Sequence, residues 1–173
     1  MEIITINENN LTSNDINETR TKVRAILIDD DKILTSNYGG VILLPGGSID
    51  VGETKIESLI RELKEETGIL YSSNDLQKLF ILNHYQANYK TRDNNLINRL
   101  VTTEFYIGKF KGIDELNVKK TEKEKKDNLY LELLTLKEIL QKLENNNNQN
   151  PRKYFFDREM QEAIKVYKKT LTK

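Results

Sequence analysis

The chain has 173 residues, 37% hydrophobic and 31% charged, and its 27 Lys+Arg balance 27 Asp+Glu to a formal net charge of zero. That balance argues against a strongly basic nucleic-acid binder, and the lack of cysteine excludes disulfides and thiolate metal sites. No stretch approaches the roughly 20 apolar residues of a membrane span, and no basic segment followed by an apolar one opens the chain, so a soluble, cytoplasmic protein is expected.

Residues 1–6 alternate weakly and read as a first strand, followed by a polar loop over 7–19. Lys22 to Ile28 reads as a strand, residues 29–31 as a turn and Lys32 to Ser36 as a second strand, together a hairpin. Residues 38–40 turn the chain again. Val41 to Leu44 forms a short buried strand that ends in Pro45-Gly46-Gly47. A helix begins near Thr54, where Thr54 and Glu57 fit a capping box, and stops at Gly68, a residue suited to a left-handed cap. Leu76 to Tyr89 and Asn98 to Phe110 are long β-rich runs, and residues 111–128 form a charged loop. Leu129 to Leu134 reads as a strand and Leu136 to Leu143 as a helix. An Asn-rich linker over 144–150 leads to a final helix over 152–171, with Phe156, Met160, Ala163, Ile164, Tyr167 and Leu171 on one face. The whole, 1–173, reads as one domain of the α/β (α+β) class, a mixed β-sheet layered with helices.

The central helix carries the chemistry. GETKIESLIRELKEETGI, residues 52–69, holds five glutamates. At about 100° per residue, Ile56, Leu59, Ile60 and Leu63 share the buried stripe. Glu62 and Glu66 fall beside that stripe, with Glu65 further round, so all three carboxylates can converge at the margin between core and solvent. Glu57, Arg61 and Glu65 form an i, i+4 ladder next to them. Like charges at these spacings cost about 0.2–0.5 kcal/mol per pair on an exposed helix. A hard divalent cation reverses that sign, because Mg²⁺ takes oxygen ligands between carboxylates and phosphates. Without such a cation, the same cluster is a solvated acidic face.

The stretch from Gly47 through Glu53, Arg61, Glu62, Leu63, Glu65, Glu66 and Gly68 to Ile69 resembles the Nudix box, G-x5-E-x7-R-E-U-x-E-E-x-G-U, at every defined position. Leu44-Pro45-Gly46-Gly47 matches the usual lead-in. The resemblance, to the MutT-like Nudix hydrolases, implies an α/β/α sandwich with a mixed central sheet. It also implies Mg²⁺-dependent hydrolysis, with Mn²⁺ as a substitute, of a nucleoside diphosphate linked to another group. By position it implies that Glu62, Glu65 and Glu66 hold the metal, and that Glu65 or Glu66 takes the proton of the attacking water. Arg61 would be oriented by Glu53, and Gly46 and Gly47 would let the loop approach the phosphates. The partner is then a nucleotide-type small molecule, a nucleoside triphosphate or dinucleoside polyphosphate being favoured, and a homodimer is left open. The alternative on the same fold is a nucleotide-sensing module without hydrolase activity.

Outside the box, Glu104 reads as an outward-facing strand residue, with an additional metal ligand as the alternative. Glu122 and Glu124 read as solvated loop charge. His84, the only histidine, reads as a surface or partly buried strand residue. Tyr85 lies 16 residues after Ile69, an offset that the family associates with dinucleoside polyphosphate hydrolases, whereas the proline that accompanies ADP-ribose hydrolysis is replaced by His84. Phe156 and Tyr167 read as core packing rather than as a platform for a base.

Overall fold

A computed structural model describes residues 2–38, 40–119, 129–144 and 152–172. Seven strands form one mixed sheet: β1 (Glu2–Ile6), β2 (Glu18–Asp29), β3 (Lys32–Tyr38), β4 (Val41–Leu43), β5 (Leu76–Lys90), β6 (Leu96–Lys109) and β7 (Tyr130–Thr135). The order across the sheet is β1-β5-β6-β2-β3-β4, and β7 pairs with β3. β1/β5 and β2/β6 are parallel, and the remaining pairs are antiparallel. Among the described residues, three helices cover the sheet: α1 (Lys55–Thr67), α2 (Leu136–Glu144) and α3 (Lys153–Leu171).

The expected α/β/α sandwich is present, and the alternation along β2 explains it. Val23, Ala25 and Leu27 point to one face and pack with Leu59, Leu63 and Tyr71 beneath α1. Ile26 points to the other face and packs with Phe80, Phe105, Ile139, Met160 and Ile164 beneath α2 and α3. A strand buried on both faces reads as a continuous apolar run, which is why Lys22 to Ile28 stood out.

Several boundaries differ from the sequence reading. β2 begins at Glu18, inside the segment read as loop, because eleven residues from Glu18 to Ile28 pair in parallel with Arg99 to Lys109. The β2/β3 hairpin is short, with only Ile28↔Ile33 and Asp29↔Lys32 paired. Beyond it, the freed edge of β2 takes up the loop after β4. Val23 N–H donates to Gly47 O at 3.0 Å, and Ala25 N–H donates to Pro45 O at 2.9 Å. On α3, Met160, Ala163, Ile164 and Tyr167 are buried as expected, but Leu171, in the last turn, is 61% exposed. Residues 145–150 of the Asn-rich linker lie outside the described residues, as do Glu122 and Glu124. No described helix is long and apolar enough to cross a membrane.

Candidate active site

α1 starts and stops where its sequence dictates. Thr54 N–H donates to Glu57 Oε2 at 2.8 Å, and Glu57 N–H donates to Thr54 Oγ1 at 3.4 Å, closing the capping box. Gly68 adopts φ +75° and returns its N–H to Lys64 O. The buried seam is Ser58, Leu59, Leu63 and Thr67, with Ile56 and Ile60 only half-buried. It is thus rotated from the expected stripe toward the face that carries Glu62 and Glu66. Burying Leu59 and Leu63 contributes about 1.5–3 kcal/mol each, which fixes how far the acidic edge is turned into the protein.

Arg61 organises that edge. Its Nε and Nη2 donate to Glu53 Oε1 and Oε2 at 2.7 and 3.0 Å, a bidentate pair. Its Nη1 donates to Glu62 Oε1 at 2.9 Å and lies 3.6 Å from Glu65 Oε2. The hydrogen bonds from Arg61 hold the Glu53 carboxyl down to about 2. Burial pushes the Glu62 carboxyl up, opposed by Arg61. Glu57 is taken by the cap, so only the Arg61–Glu65 half of the expected ladder forms.

The loop closes on the same edge. Gly46 N–H donates to Glu66 Oε1 at 3.1 Å. A Cβ on Gly47 would lie 2.3 Å from Glu62 Oε1, so only glycine lets the backbone and this carboxylate coexist as placed. Gly46 has φ +127°, and a Cβ there would lie 2.3 Å from Val23 O. Buried Arg24 straps the loop from beneath: its Nη1 donates to Leu44 O at 2.9 Å and to Gly46 O at 2.5 Å.

Beyond the loop a cleft of about 650 Å³ opens along the α3 face of β2 and β6. Gly46 and Glu66 form one wall. Arg20, Lys22, Arg24, Arg92, Arg99 and Arg152 line it against the carboxylates Glu18, Glu66 and Asp93, with Tyr38, Tyr89 and Phe156 supplying rings. The Arg99 guanidinium lies 3.3 Å from the Tyr89 ring centroid, and Arg152 lies 5.3 Å from the same ring.

Residues 18–157 match the NUDIX domain family. The chain belongs to the NUDIX family. An ADP-ribose pyrophosphatase from Methanocaldococcus jannaschii is 42% identical over 53 residues, 28% of this chain and 31% of that protein, so the match spans under a third of the relative's length. A NUDIX hydrolase from Nitrosomonas europaea shares the fold, with a TM-score of 0.61 at 17% identity over 88% of this chain and 90% of that one.

Within this NUDIX fold, Glu53, Arg61, Glu62, Glu65, Glu66, Gly46 and Gly47 gather at one edge of α1. Glu62, Glu65 and Glu66 are all half-buried. Among the described residues, no three acidic or histidine side chains form a closed metal cage. Glu62 and Glu66 are held by separate donors, Arg61 and the Gly46 amide, and like charges keep apart.

Glu104 does not face outward. It is 1% exposed and paired with Lys55 and Lys78, the latter at 2.9 Å, and it accepts from Tyr106 Oη at 3.0 Å. Burial pushes its carboxyl up, but the hydrogen bonds from Lys55, Lys78 and Tyr106 together hold it below the usual value. His84 is 2% exposed, and burial pulls its imidazole down to about 4. Tyr85 does not line the cleft; Tyr89 does. Phe156 is half-buried and lines the cleft, with Lys22 Nζ 5.6 Å from its ring centroid, so it does not belong with the core stripe. The sequence reading missed Lys22, Arg24 and Arg99. The available signal was a charged residue at alternate positions of strands that are otherwise apolar.

Proposed function

We propose that this chain is a Mg²⁺-dependent pyrophosphohydrolase that opens the diphosphate linkage of a nucleoside diphosphate joined to a second group. The observation that carries the reading is the contact between the Gly46-Gly47 loop and the acidic edge. The backbone is pressed against Glu62 and Glu66 so closely that a methyl at position 47 would overlap the Glu62 carboxylate. That approach leaves room for phosphate oxygens where any side chain would intrude. The donor set is carboxylate oxygen from Glu62, Glu65 and Glu66, which fits a hard divalent cation. Such a cation, when bound there, supplies charge neutralisation on the diphosphate and lowers the pKa of a bound water.

The protein's own groups do the rest. Glu53 holds Arg61 through two hydrogen bonds, and Arg61 in turn fixes Glu62. Arg24 holds the loop carbonyls, so the Gly46 and Gly47 backbone keeps its position when a charged ligand arrives. Glu65, 39% exposed and 3.6 Å from Arg61, is more loosely held than Glu62 and is assigned as the group that takes the proton of the attacking water.

The substrate class is a nucleotide. The name of the M. jannaschii relative places ADP-ribose in the test set beside nucleoside triphosphates and dinucleoside polyphosphates. The position of Tyr85 outside the cleft removes the sequence argument for the last of these. Glu65→Gln and Glu66→Gln should each lower kcat by at least about a hundredfold with unchanged circular dichroism. Wild-type turnover in both variants would overturn the assignment. Nucleotide binding with no phosphate-ester product from the wild-type protein would leave a sensing module instead.

A further inference from the structure

Among the described residues, the cleft holds six cationic side chains against three carboxylates, and those cations are spread along its length rather than gathered at the acidic edge of α1. Arg24 is committed to the loop carbonyls and to Glu159, 3.5 Å from its Nε. Lys22 is different. Among the described residues its ammonium makes no hydrogen bond or ion pair, and it lies 5.6 Å from the centroid of the Phe156 ring inside the cleft. Burial pulls that ammonium down to about 8, with Glu159 opposing and Arg24, Arg99 and Arg20 adding to the fall. A half-buried ammonium with no carboxylate in direct contact is costly unless a ligand supplies an anion.

The strand register gives the spacing. Arg24, at the loop, stands opposite Phe105, whereas Arg99 stands opposite Glu18. Six residues of β2 separate the two stations, about 20 Å at the rise of a strand. One diphosphate group at the Gly46–Glu66 wall does not reach the Arg99 end. Arg99 is itself buried, fixed by Gln86 Oε1 at 2.6 Å, and stacked on Tyr89, so its guanidinium is pre-positioned rather than swept in from solvent. A guanidinium has five N–H donors; Gln86 takes Nε, and Nη1 lies 4.0 Å from Glu18 Oε2.

We propose that this cleft selects substrates bearing at least one phosphate beyond the diphosphate that is cleaved, with Lys22, two residues of β2 from Arg24, as its nearer receiver and Arg99 as the farther one. The inference rests on the hydrolase reading for the position of the scissile group, but its binding arm does not need turnover.

The binding arm uses full-length protein in metal-free buffer. Adenosine 3′,5′-bisphosphate should bind at least about tenfold more tightly than adenosine 5′-monophosphate by titration calorimetry. Lys22→Gln should shrink that ratio to under about threefold, and Lys22→Arg should restore it. The turnover arm compares kcat/KM within matched pairs: NADPH against NADH, and diadenosine tetraphosphate against diadenosine diphosphate. The first pair adds a phosphate on the ribose, the second adds phosphates within the chain, and preference in either pair supports the proposal and says which source fits. Equal affinity for the two adenosine nucleotides with equal kcat/KM within both pairs overturns it, as does an undiminished preference in Lys22→Gln. Bisphosphate preference with no hydrolysis of any compound supports the cleft assignment and overturns the hydrolase reading alone.

Discussion

Gly47→Ala separates chemistry from folding. Gly47 does not require a left-handed backbone; what a side chain there meets is the Glu62 carboxylate, with Oε1 at 2.3 Å, Cδ at 2.4 Å and Oε2 at 2.6 Å. An ordinary contact begins near 3.4 Å, so the carboxylate must retreat by about 1 Å. The Glu62 carboxylate is the end of a flexible side chain, and its retreat stretches one hydrogen bond, the 2.9 Å contact from Arg61. The stability cost is therefore expected to be about 1 kcal/mol or less. The catalytic cost is larger, because a 1 Å displacement of a positioning or metal-holding group lowers the rate about a hundredfold, or about 2.7 kcal/mol of barrier. Gly46→Ala should behave in the opposite way. Its φ of +127° and the Val23 carbonyl 2.3 Å from the new Cβ set backbone against backbone, and neither can swing aside. A loss of about 1–3 kcal/mol in unfolding free energy is expected there. Thermal melts and steady-state kinetics on the two variants form the assay. An alanine at 47 that leaves kcat intact would refute the claim that the place of the Glu62 carboxylate matters to the reaction.

Two further outcomes are expected. His84 is held neutral with its pKa near 4 against an ordinary 6.5. The unfolded chain therefore binds the proton first, and stability present above pH 6.5 is lost as pH falls toward 4. Between pH 7 and pH 5 this amounts to about 2 kcal/mol. Urea titrations should show that difference in the wild type relative to His84→Gln, and equal slopes would refute it. Glu53 and Asp75, both held near 2, titrate below this window, and the raised Glu62, which acts with the opposite sign, cancels between the two proteins. Glu104→Gln should cost about 1–2 kcal/mol, because Lys55 and Lys78 are partly exposed and recover water when the charge is lost. It should keep turnover within about tenfold of wild type, whereas a fall of several orders of magnitude would make Glu104 a metal ligand.

Local signals were legible in the sequence. The capping box at Thr54, the cap at Gly68 and the Arg61–Glu53 spacing are encoded within a few residues, and the structure closes all three. Phe156 and Tyr85 stand elsewhere than their local pattern predicts, for reasons that lie outside any short window. Phe156 sits on an apolar helical face, yet the α3 turn that bears it overhangs the cleft rather than the sheet core. Tyr85 and Tyr89 are exchanged by the irregular register between Gln86 and Tyr89, where Asn88 takes φ +53°. A period of two cannot carry through such a bulge. The cleft itself depends on parallel pairing of β2 with β6, residues some 80 positions apart in the chain, which no local pattern announces.

The hydrogen bonds from Val23 and Ala25 to the loop at 45–47 have a consequence for how such a protein can change. The loop at 45–47 hangs from the edge of β2, while the side chains that line the cleft rise from the face of β2, from β5 and β6 and from the start of α3. On the proposed function, substitutions at positions 22, 89, 99 or 152 change the lining of the cleft without touching the two hydrogen bonds that hold the loop. Loop support and cleft lining therefore meet on β2 chiefly at Arg24, whose guanidinium serves both.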